Sequence, residues 1–362
     1  MEMEDARIAV PSCLEGTQLK SSDFIWPESD RPYTSFFPSQ DPAMAVGFSN
    51  EIQQRKDLEF PEVDLSLPDE EILSILRCAA SSWGFFRVRN HGIPQDLFES
   101  IARHASDFFG LQLSEKRAIS RVPPLPLGYT SIERSSDIKS WSEALHLMPG
   151  RDKICSLLHQ VPSFREPHSF SSDVDKYFSL VGALANRIIR LLFQGLQVDA
   201  EQVDAVFNSI ESSTLRINYY PACPVADFTY GSPPHKDYGG LAILHQDDVG
   251  GLEVLKDGCW VPVLPVKGCL IVNVGELIQI VSNGRFPSVL HRSLVKCSQS
   301  RLSFVFFYFP SDDTWIGPIP KLITEDCPAK YKSFYMRDYK SVFGKAQKAH
   351  QSPSLFFQEL TN

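Results

Sequence analysis

Three side chains of this sequence have the types and spacing of a metal site: His235, Asp237 and His291. His235 and Asp237 lie two residues apart, where the Pro-rich loop GSPP (231–234) gives way to apolar residues. Alternate residues of a strand project from the same face, so both side chains can reach one point while Lys236 faces away. The plain alternative is a polar strand end. His291, in an apolar segment downstream, supplies the third ligand that favours a metal.

Two imidazoles and one carboxylate form a facial triad, which leaves three coordination positions open. This set suits non-haem Fe(II), whereas structural zinc would close its fourth position with a thiolate or a third imidazole. The alternative for His291 is a core histidine bonded to a backbone carbonyl. His245 lies ten residues from His235, too far along an extended chain to share its metal. The remaining histidines have no partner at comparable spacing: 91, 104, 146, 159, 168 and 350.

A second pair of alternate residues, Arg301 and Ser303, opens an apolar segment ten residues after His291. A guanidinium directed into such a core is costly unless it meets an anion, and its planar fork matches a carboxylate in bidentate fashion. The hydroxyl of Ser303 would add a donor on the same face. We call this pair the carboxylate clamp. The alternative for Arg301 is a surface salt bridge at the start of a strand.

The elements that must position these residues divide the chain into a helical N-terminal part and a C-terminal β core. Apolar spacing and acidic first turns predict helices over 69–84, 93–111, about 172–194 (with Ser172 as cap) and 331–347, and strands over 59–66 and 85–92. From about Leu215, short apolar segments are separated by turn residues: 215–220, 241–246, 251–255, 260–266, 269–275, 278–284, 289–295 and 301–309. Without crossover helices between them, these segments predict a β-sandwich or barrel.

Composition narrows the class of partner. The chain has 362 residues and a net charge of −9, without a Lys/Arg block, so a nucleic acid is excluded as a partner. No apolar run approaches the roughly 18 residues of a membrane span, and the acidic N-terminus lacks the apolar region of a secretory signal. Eight cysteines without a C-x-x-C pair indicate reduced thiols. We expect a cytoplasmic monomer that acts on a small molecule.

The order and spacing of H-x-D, the distal His and R-x-S resemble those of the plant 2-oxoglutarate/Fe(II)-dependent dioxygenases. The similarity extends over roughly residues 59 to 340, in the stretches PEVDLS (61–66), WGFFRVRNHGIP (83–94), NYYPACP (218–224), HQDDVGGLEVL (245–255) and SNGRFPSVLHR (282–292). It implies a mixed α+β fold, with a double-stranded β-helix (jelly roll) and N-terminal helices packed around it. The chain then divides into a partly ordered lead-in (1–57), a helical N-terminal dioxygenase region (58–165), long connecting helices (166–209), the Fe(II)/2-oxoglutarate jelly-roll core (210–312) and a C-terminal helical tail (313–362).

The resemblance also implies roles for individual residues. The facial triad would bind Fe(II), and the carboxylate clamp would hold the distal carboxylate of 2-oxoglutarate. Tyr220 matches a residue that contacts this co-substrate, and Asn218 is a further candidate beside it, whereas His91 belongs to an architectural turn. With dioxygen, and ascorbate as reductant, such an enzyme oxidises an unactivated carbon and releases succinate and CO2.

The substrate is expected to be an apolar small molecule. SWSEALHL (140–147) and the stretches after Asp247 and Ser282 look most like those of gibberellin oxidases, which predicts a diterpenoid acid with one cationic anchor. Arg134 and Lys139 are candidates for that anchor, their alternative being solvated surface charges. Lys236 departs from the Thr, Ser or Cys common at the middle of H-x-D. A flavonoid, alkaloid or other plant metabolite is the alternative substrate; a zinc metallohydrolase and a non-catalytic jelly-roll binding protein are the remoter alternatives.

Overall fold

Eight α-helices lie in the residues that the computed structural model describes, namely 21–32, 59–122, 125–131, 140–348 and 352–359. The helices are α1 (Asp69–Ser82), α2 (Gln95–Phe109), α3 (Leu113–Lys116), α4 (Arg151–Leu158), α5 (Pro167–Gln194), α6 (Ala200–Asp204), α7 (Glu276–Val281) and α8 (Met336–Lys348). None of these described helices is long and apolar enough to cross a membrane. Five of them lie before residue 195 and surround the β core from the N-terminal side.

The strands of the described residues form two main sheets. They are β1 (Glu62–Asp64), β2 (Phe85–Arg89), β3 (Gly128–Thr130), β4 (Glu143–Leu147), β5 (Thr214–Tyr220), β6 (Ser232–His235), β7 (Leu241–Gln246), β8 (Leu252–Lys256), β9 (Cys259–Pro262), β10 (Leu270–Val274), β11 (His291–Ser293), β12 (Arg301–Phe307), β13 (Trp315–Ile316) and β14 (Phe334–Tyr335). The large sheet has the order β1-β2-β10-β7-β12-β5-β4-β3 and the small sheet β6-β11-β8-β9. Residues of both sheets line one pocket, and the mixed α+β class with a jelly roll is confirmed.

Helix α5 covers the face of the large sheet that is turned away from this pocket. Phe178 of the helix contacts Phe306 of β12 with ring centroids 6.0 Å apart, and both rings are buried. The helix begins at Pro167, five residues before the predicted cap at Ser172, which is exposed on its second turn. Proline is favoured at the first position of a helix because its missing N–H has no intrahelical partner there. The predicted start was therefore wrong, whereas the predicted end at Gln194 was right.

Segment 278–284, predicted as a strand, lies largely in helix α7 and the turn after it. Leu277, Ile278, Ile280 and Val281 are all fully buried, so no polar face reveals the helical period. A short apolar run of this kind does not distinguish a buried helix from a buried strand.

The N-terminal part also supplies strands that the pattern did not predict. These are β3 and β4, which extend one edge of the large sheet. The predicted strands β1 and β2 form the other edge, with β1 parallel to β2. In the C-terminal part, the last helix, α8, starts at Met336 rather than at residue 331, because Phe334 and Tyr335 pair with β13.

Of the predicted lead-in, residues 21–32 are described, and their Phe24 and Trp26 are buried; the rest lies outside the described residues. The division of the chain into five regions stays a prediction.

Candidate active site

The structure brings the three residues of the facial triad together at one end of the small sheet. His235 ends β6 and lies directly opposite His291, the first residue of β11. Asp237 lies in the loop after β6 rather than in the strand, so the same-face argument that paired it with His235 was wrong in its premise. Its Oδ1 nevertheless lies 3.6 Å from His235 Nε2 and 3.7 Å from His291 Nε2.

Hydrogen bonds behind the triad decide which atoms point inward. Nδ1 of His235 lies 2.7 Å from the carbonyl oxygen of Pro233, and Nδ1 of His291 lies 3.2 Å from the carbonyl oxygen of Val289. Each ring donates its Nδ1 proton there and presents Nε2 to the centre. Asn273 of β10 donates from Nδ2 to Asp237 Oδ2 at 2.7 Å, which leaves Oδ1 facing the two imidazoles. Metal-ligating histidines and carboxylates characteristically have such outer partners.

The chain around Asp237 is held by a close backbone approach. The N–H of Gly275 donates to the carbonyl oxygen of Gly240, and a Cβ added to Gly275 would lie 2.2 Å from the carbonyl oxygen of Gly239. Only glycine fits at such a distance. The next residue, Glu276, donates its backbone N–H to the carbonyl oxygen of Asp237 at 2.8 Å.

The carboxylate of Glu276 is itself fully buried. It accepts hydrogen bonds from the hydroxyls of Tyr339 at 2.7 Å and Ser354 at 3.2 Å. Burial raises the pKa of Glu276, and these two donors oppose the shift. The C-terminal segment thus supports, through Glu276, the backbone that carries Asp237.

The electrostatics and donor set of the triad fit a divalent cation. Desolvation within the pocket and the neighbouring His291 lower the pKa of His235, with Asp237 opposing the shift, so the neutral ring that ligates metals prevails. One ligand atom from each triad residue lies within 4.8 Å of the others. Two neutral imidazoles and one carboxylate on one side of the centre suit Fe(II) with open positions. Lys236 is exposed.

The four predicted co-substrate residues occur as two cross-strand pairs. Arg301 lies opposite Tyr220, and Ser303 lies opposite Asn218, in the antiparallel register of β12 and β5. The Arg301 guanidinium is 5.0 Å from the centroid of the Tyr220 ring, and Asn218 Nδ2 donates to Ser303 Oγ at 3.4 Å. The alternation that the sequence predicted therefore places all four side chains on the pocket side of the large sheet.

Arg301 is a buried cation with neutral partners. Its side chain donates to Ser293 Oγ at 2.9 Å and to Gln246 Oε1 at 3.1 Å, its Nε has no hydrogen-bond partner, and the residue is 3% exposed. Among the described residues no carboxylate forms a salt bridge with it. A surface salt bridge, the alternative reading of Arg301, is thus wrong. A buried guanidinium with spare donors is suited to an incoming carboxylate.

The pocket between the sheets encloses about 560 Å3 of empty space, part of it open to solvent. Its apolar wall includes Phe85, Leu244, Leu252, Val305 and Phe307. This mixture of an apolar wall with a few polar groups is that of a small-molecule site.

Sequence reasoning missed two cations that line this pocket: Arg292, which forms a buried salt bridge with Glu253 at 2.6 Å, and Arg216 of β5. Arg216 is half-buried, lines the pocket with the triad, and has an Nε without a hydrogen-bond partner. No salt bridge to it occurs within the described part of the chain. The sequence did indicate that Arg216 faces the pocket, because alternate residues of a strand share one face and residues 218 and 220 were already predicted to lie in the site. The two basic residues proposed instead, Arg134 and Lys139, lie outside the described residues.

The structure also corrects the reading of two other histidines. His159 and His168, predicted to have no partner, converge with Cys155. By contrast, His245 stacks between Phe98 and Phe304, with centroid distances of 4.3 and 5.1 Å, and is separate from the triad as predicted. The seven cysteines in the described ranges are free thiols, as expected. His350 lies outside the described residues.

The chain is similar to two known protein families, to individual proteins of those families and to solved structures. The family described as "2OG-Fe(II) oxygenase superfamily" matches residues 211–310, and that described as "non-haem dioxygenase in morphine synthesis N-terminal" matches residues 60–164. Flavanone 3-dioxygenase 2 of Oryza sativa subsp. japonica is 33% identical over 327 residues, 88% of this chain and 89% of its own. Gibberellin 20 oxidase 2 of Oryza sativa subsp. indica is 35% identical over 330 residues, 87% of this chain and 78% of its own. A crystal structure of JOX2 in complex with 2OG, Fe and JA has a TM-score of 0.76 at 30% identity, over 96% of this chain and 98% of that one.

Proposed function

The chain belongs to the 2OG-Fe(II) oxygenase superfamily, and from that premise we propose that it oxidises an unactivated carbon of an apolar small-molecule acid of the gibberellin type. Membership makes it an oxidoreductase that uses Fe(II), 2-oxoglutarate and dioxygen. The zinc metallohydrolase and the non-catalytic binding protein are thereby set aside. In the proposed reaction succinate and CO2 are released, with ascorbate as reductant.

We assign the facial triad to Fe(II) and the carboxylate clamp to the distal carboxylate of 2-oxoglutarate. The bound iron supplies the oxidative chemistry, and the protein supplies orientation and exclusion of water. Asn273 and the two backbone carbonyls behind the histidines fix the ligand atoms. Tyr220 supports the Arg301 guanidinium with its ring, and Asn218 orients the hydroxyl of Ser303.

Arg216 is the observation that carries the proposed substrate class. A half-buried guanidinium without a salt bridge among the described residues is costly unless an anion meets it. The carboxylate clamp is assigned to 2-oxoglutarate, so Arg216 offers a second anion-binding position in the same pocket. An apolar acid places its carboxylate at Arg216 and its hydrocarbon body against the wall that contains Phe307 and Leu244. The similarity to gibberellin 20 oxidase 2 favours a diterpenoid acid.

A neutral flavonoid is the second candidate, favoured by the similarity to flavanone 3-dioxygenase 2. A flavonoid would pack against the same apolar wall but would leave Arg216 without a counter-charge. The two candidates therefore differ in what they require of one residue.

A paired set of substrates and variants tests the proposal. The protein, supplied with Fe(II), ascorbate and 2-oxoglutarate, is assayed for succinate release and product mass with gibberellin precursors, their methyl esters and flavanones. We expect the free acids to be oxidised, and Arg216→Leu to raise their KM about 10- to 100-fold, the loss of a hydrogen-bonded charge pair. The methyl esters control for the charge, because parent and Arg216→Leu should treat them alike. Turnover of a flavanone with a KM that is unaffected by Arg216→Leu would mean that the substrate is a neutral flavonoid rather than an acid.

A further inference from the structure

We propose that Cys155, His159 and His168 form a second metal site, which binds Zn2+ through one thiolate and two imidazoles. We call these three residues the Cys155 cluster. Cys155 lies on α4 and His159 directly follows that helix, so the four-residue spacing places both on one helical face. His168 is the second residue of α5 and reaches the same point after the chain turns between the two helices. A ligand atom from each residue lies within 4.8 Å of the other two.

The distances in the Cys155 cluster match the edges of a zinc coordination sphere. Cys155 Sγ lies 3.2 Å from His168 Nδ1 and 3.5 Å from His159 Nδ1. Zinc bonds of about 2.3 Å to sulfur and about 2.0–2.1 Å to nitrogen separate the two ligand atoms by about 3.5 Å at a tetrahedral angle. His159 Nδ1 is also 2.8 Å from the carbonyl oxygen of Cys155, so a metal at this nitrogen displaces the Nδ1 proton and breaks that hydrogen bond, and the exposed ring turns away from the carbonyl.

The donor types distinguish this site from the facial triad. A thiolate with imidazoles favours zinc and other soft or borderline ions, whereas the triad offers only nitrogen and oxygen. Among the described residues, the triad and the Cys155 cluster are the two groups with three such ligands in reach of one another.

The exposure of the three residues indicates an exchangeable site. Cys155 is buried, while both histidines are exposed, so an ion can enter from solvent and meet the thiolate at the bottom. The imidazole rings lie 4.9 Å apart at 72° and do not stack on each other. Three protein ligands leave the fourth tetrahedral position to water or to an external ligand.

Cobalt titration tests the site by a signal that the triad cannot produce. A thiolate ligand gives Co2+ a charge-transfer absorption in the near ultraviolet, and the triad contains no sulfur. We expect the Asp237→Ala variant to show this band with one equivalent of Co2+, the parent protein to show it within two equivalents, and Zn2+ to abolish it by displacement. Cys155→Ser and His168→Ala should lose it. Cys78→Ser, which removes an exposed cysteine of α1, is the matched control and should retain it.

Metal content and thermal unfolding give a second readout. In the Asp237→Ala background, excess Zn2+ should raise the unfolding temperature by several degrees, because binding to the folded state stabilises it. The additional change Cys155→Ser should remove that rise, and Cys155→Ser alone should leave 2-oxoglutarate turnover unchanged. No band in the parent protein, or a band that survives in both Cys155→Ser and His168→Ala, overturns the proposal. The cluster would then be a hydrogen-bonded thiol without a metal.

Discussion

Strands β5 and β12 have two unlike faces, and the comparison separates what stabilises this protein from what allows it to act. On one face Ile217, Phe304 and Phe306 are buried in the apolar core against α5. On the other face Arg216 and Arg301 line the pocket without a salt bridge among the described residues. Neighbouring positions of one strand therefore differ in role. Substitutions on the core face should cost stability, and those on the pocket face should cost binding or turnover.

The largest expected effect comes from the facial triad, which faces the pocket across from β12. His235→Ala, Asp237→Ala and His291→Ala should each abolish succinate release and leave the fold largely intact, because one lost ligand opens the coordination sphere rather than the core. Activity assays together with thermal unfolding of each purified variant measure both effects. Full activity in any of the three would contradict the assignment of that residue.

The core face should give the opposite result. Phe306 is fully buried against Phe178, so Phe306→Ala should lower the free energy of unfolding by about 3–5 kcal/mol. The KM for 2-oxoglutarate of the folded fraction should stay near the parent value. Denaturant titration and steady-state kinetics at low temperature measure the two quantities. A large rise in KM with little loss of stability would mean that the two faces are not separate.

On the pocket face, Arg301→Leu should weaken 2-oxoglutarate binding by about 2–5 kcal/mol, or roughly 30- to several-thousand-fold. Iron affinity should be nearly unchanged. Stability should stay the same or rise, since a buried charge without a counter-charge is removed. Titration of 2-oxoglutarate into the iron-loaded protein gives the affinity.

Arg301→Lys is the conservative control for this change. It should recover only part of the affinity, because an ammonium cannot reproduce the planar fork. If Arg301→Leu bound 2-oxoglutarate as tightly as the parent does, the distal carboxylate would have to bind at another residue.

Ser303→Ala should have a smaller effect on the same titration. It removes one hydrogen bond to a charged group and should cost about 0.5–2 kcal/mol of 2-oxoglutarate affinity. Asn218 would lose its partner at 3.4 Å, and the unfolding temperature should change little. An effect as large as that of Arg301→Leu would contradict the assignment of the guanidinium as the main anchor of the carboxylate.

The smallest effect is expected at Lys236, which lies between two triad residues but is exposed. Lys236→Thr should leave turnover within a few-fold of the parent. A loss as deep as that of Asp237→Ala would mean that Lys236 contributes to the site directly.

Regular strands made the clamp predictable from sequence. Because β12 and β5 keep their alternation, Arg301 and Ser303 occur on one face with Asn218 and Tyr220 opposite. The facial triad needed more than alternation, since Asp237 lies in a loop and reaches His235 through tertiary contacts. Alternation suggested the His235–Asp237 pair from a strand geometry that Asp237 does not have, and the resemblance to known dioxygenases supported the triad independently.

Other features had no local signal. The apolar residues of α7 are buried on all sides, so their period could not identify a helix. Residues 128–147 lack the regular spacing of the core strands; β4 forms by pairing with β5, and β3 by pairing with β4, rather than by propensity. The Cys155 cluster depends on the turn between α4 and α5, which brings His168 back to a cysteine thirteen positions earlier.

The contact of Glu276 with Ser354 has a consequence for how the chain matures. Glu276 holds the backbone of Asp237, and its own buried carboxylate needs the hydroxyls of Tyr339 and Ser354. Ser354 is synthesised long after Asp237. A nascent chain that already contains both sheets therefore still lacks the two hydroxyls that hold Glu276 in place behind Asp237. We therefore expect the backbone around Asp237 to be fixed only after translation has passed Ser354, and a chain that ends between residues 310 and 350 to retain a metal at the facial triad poorly.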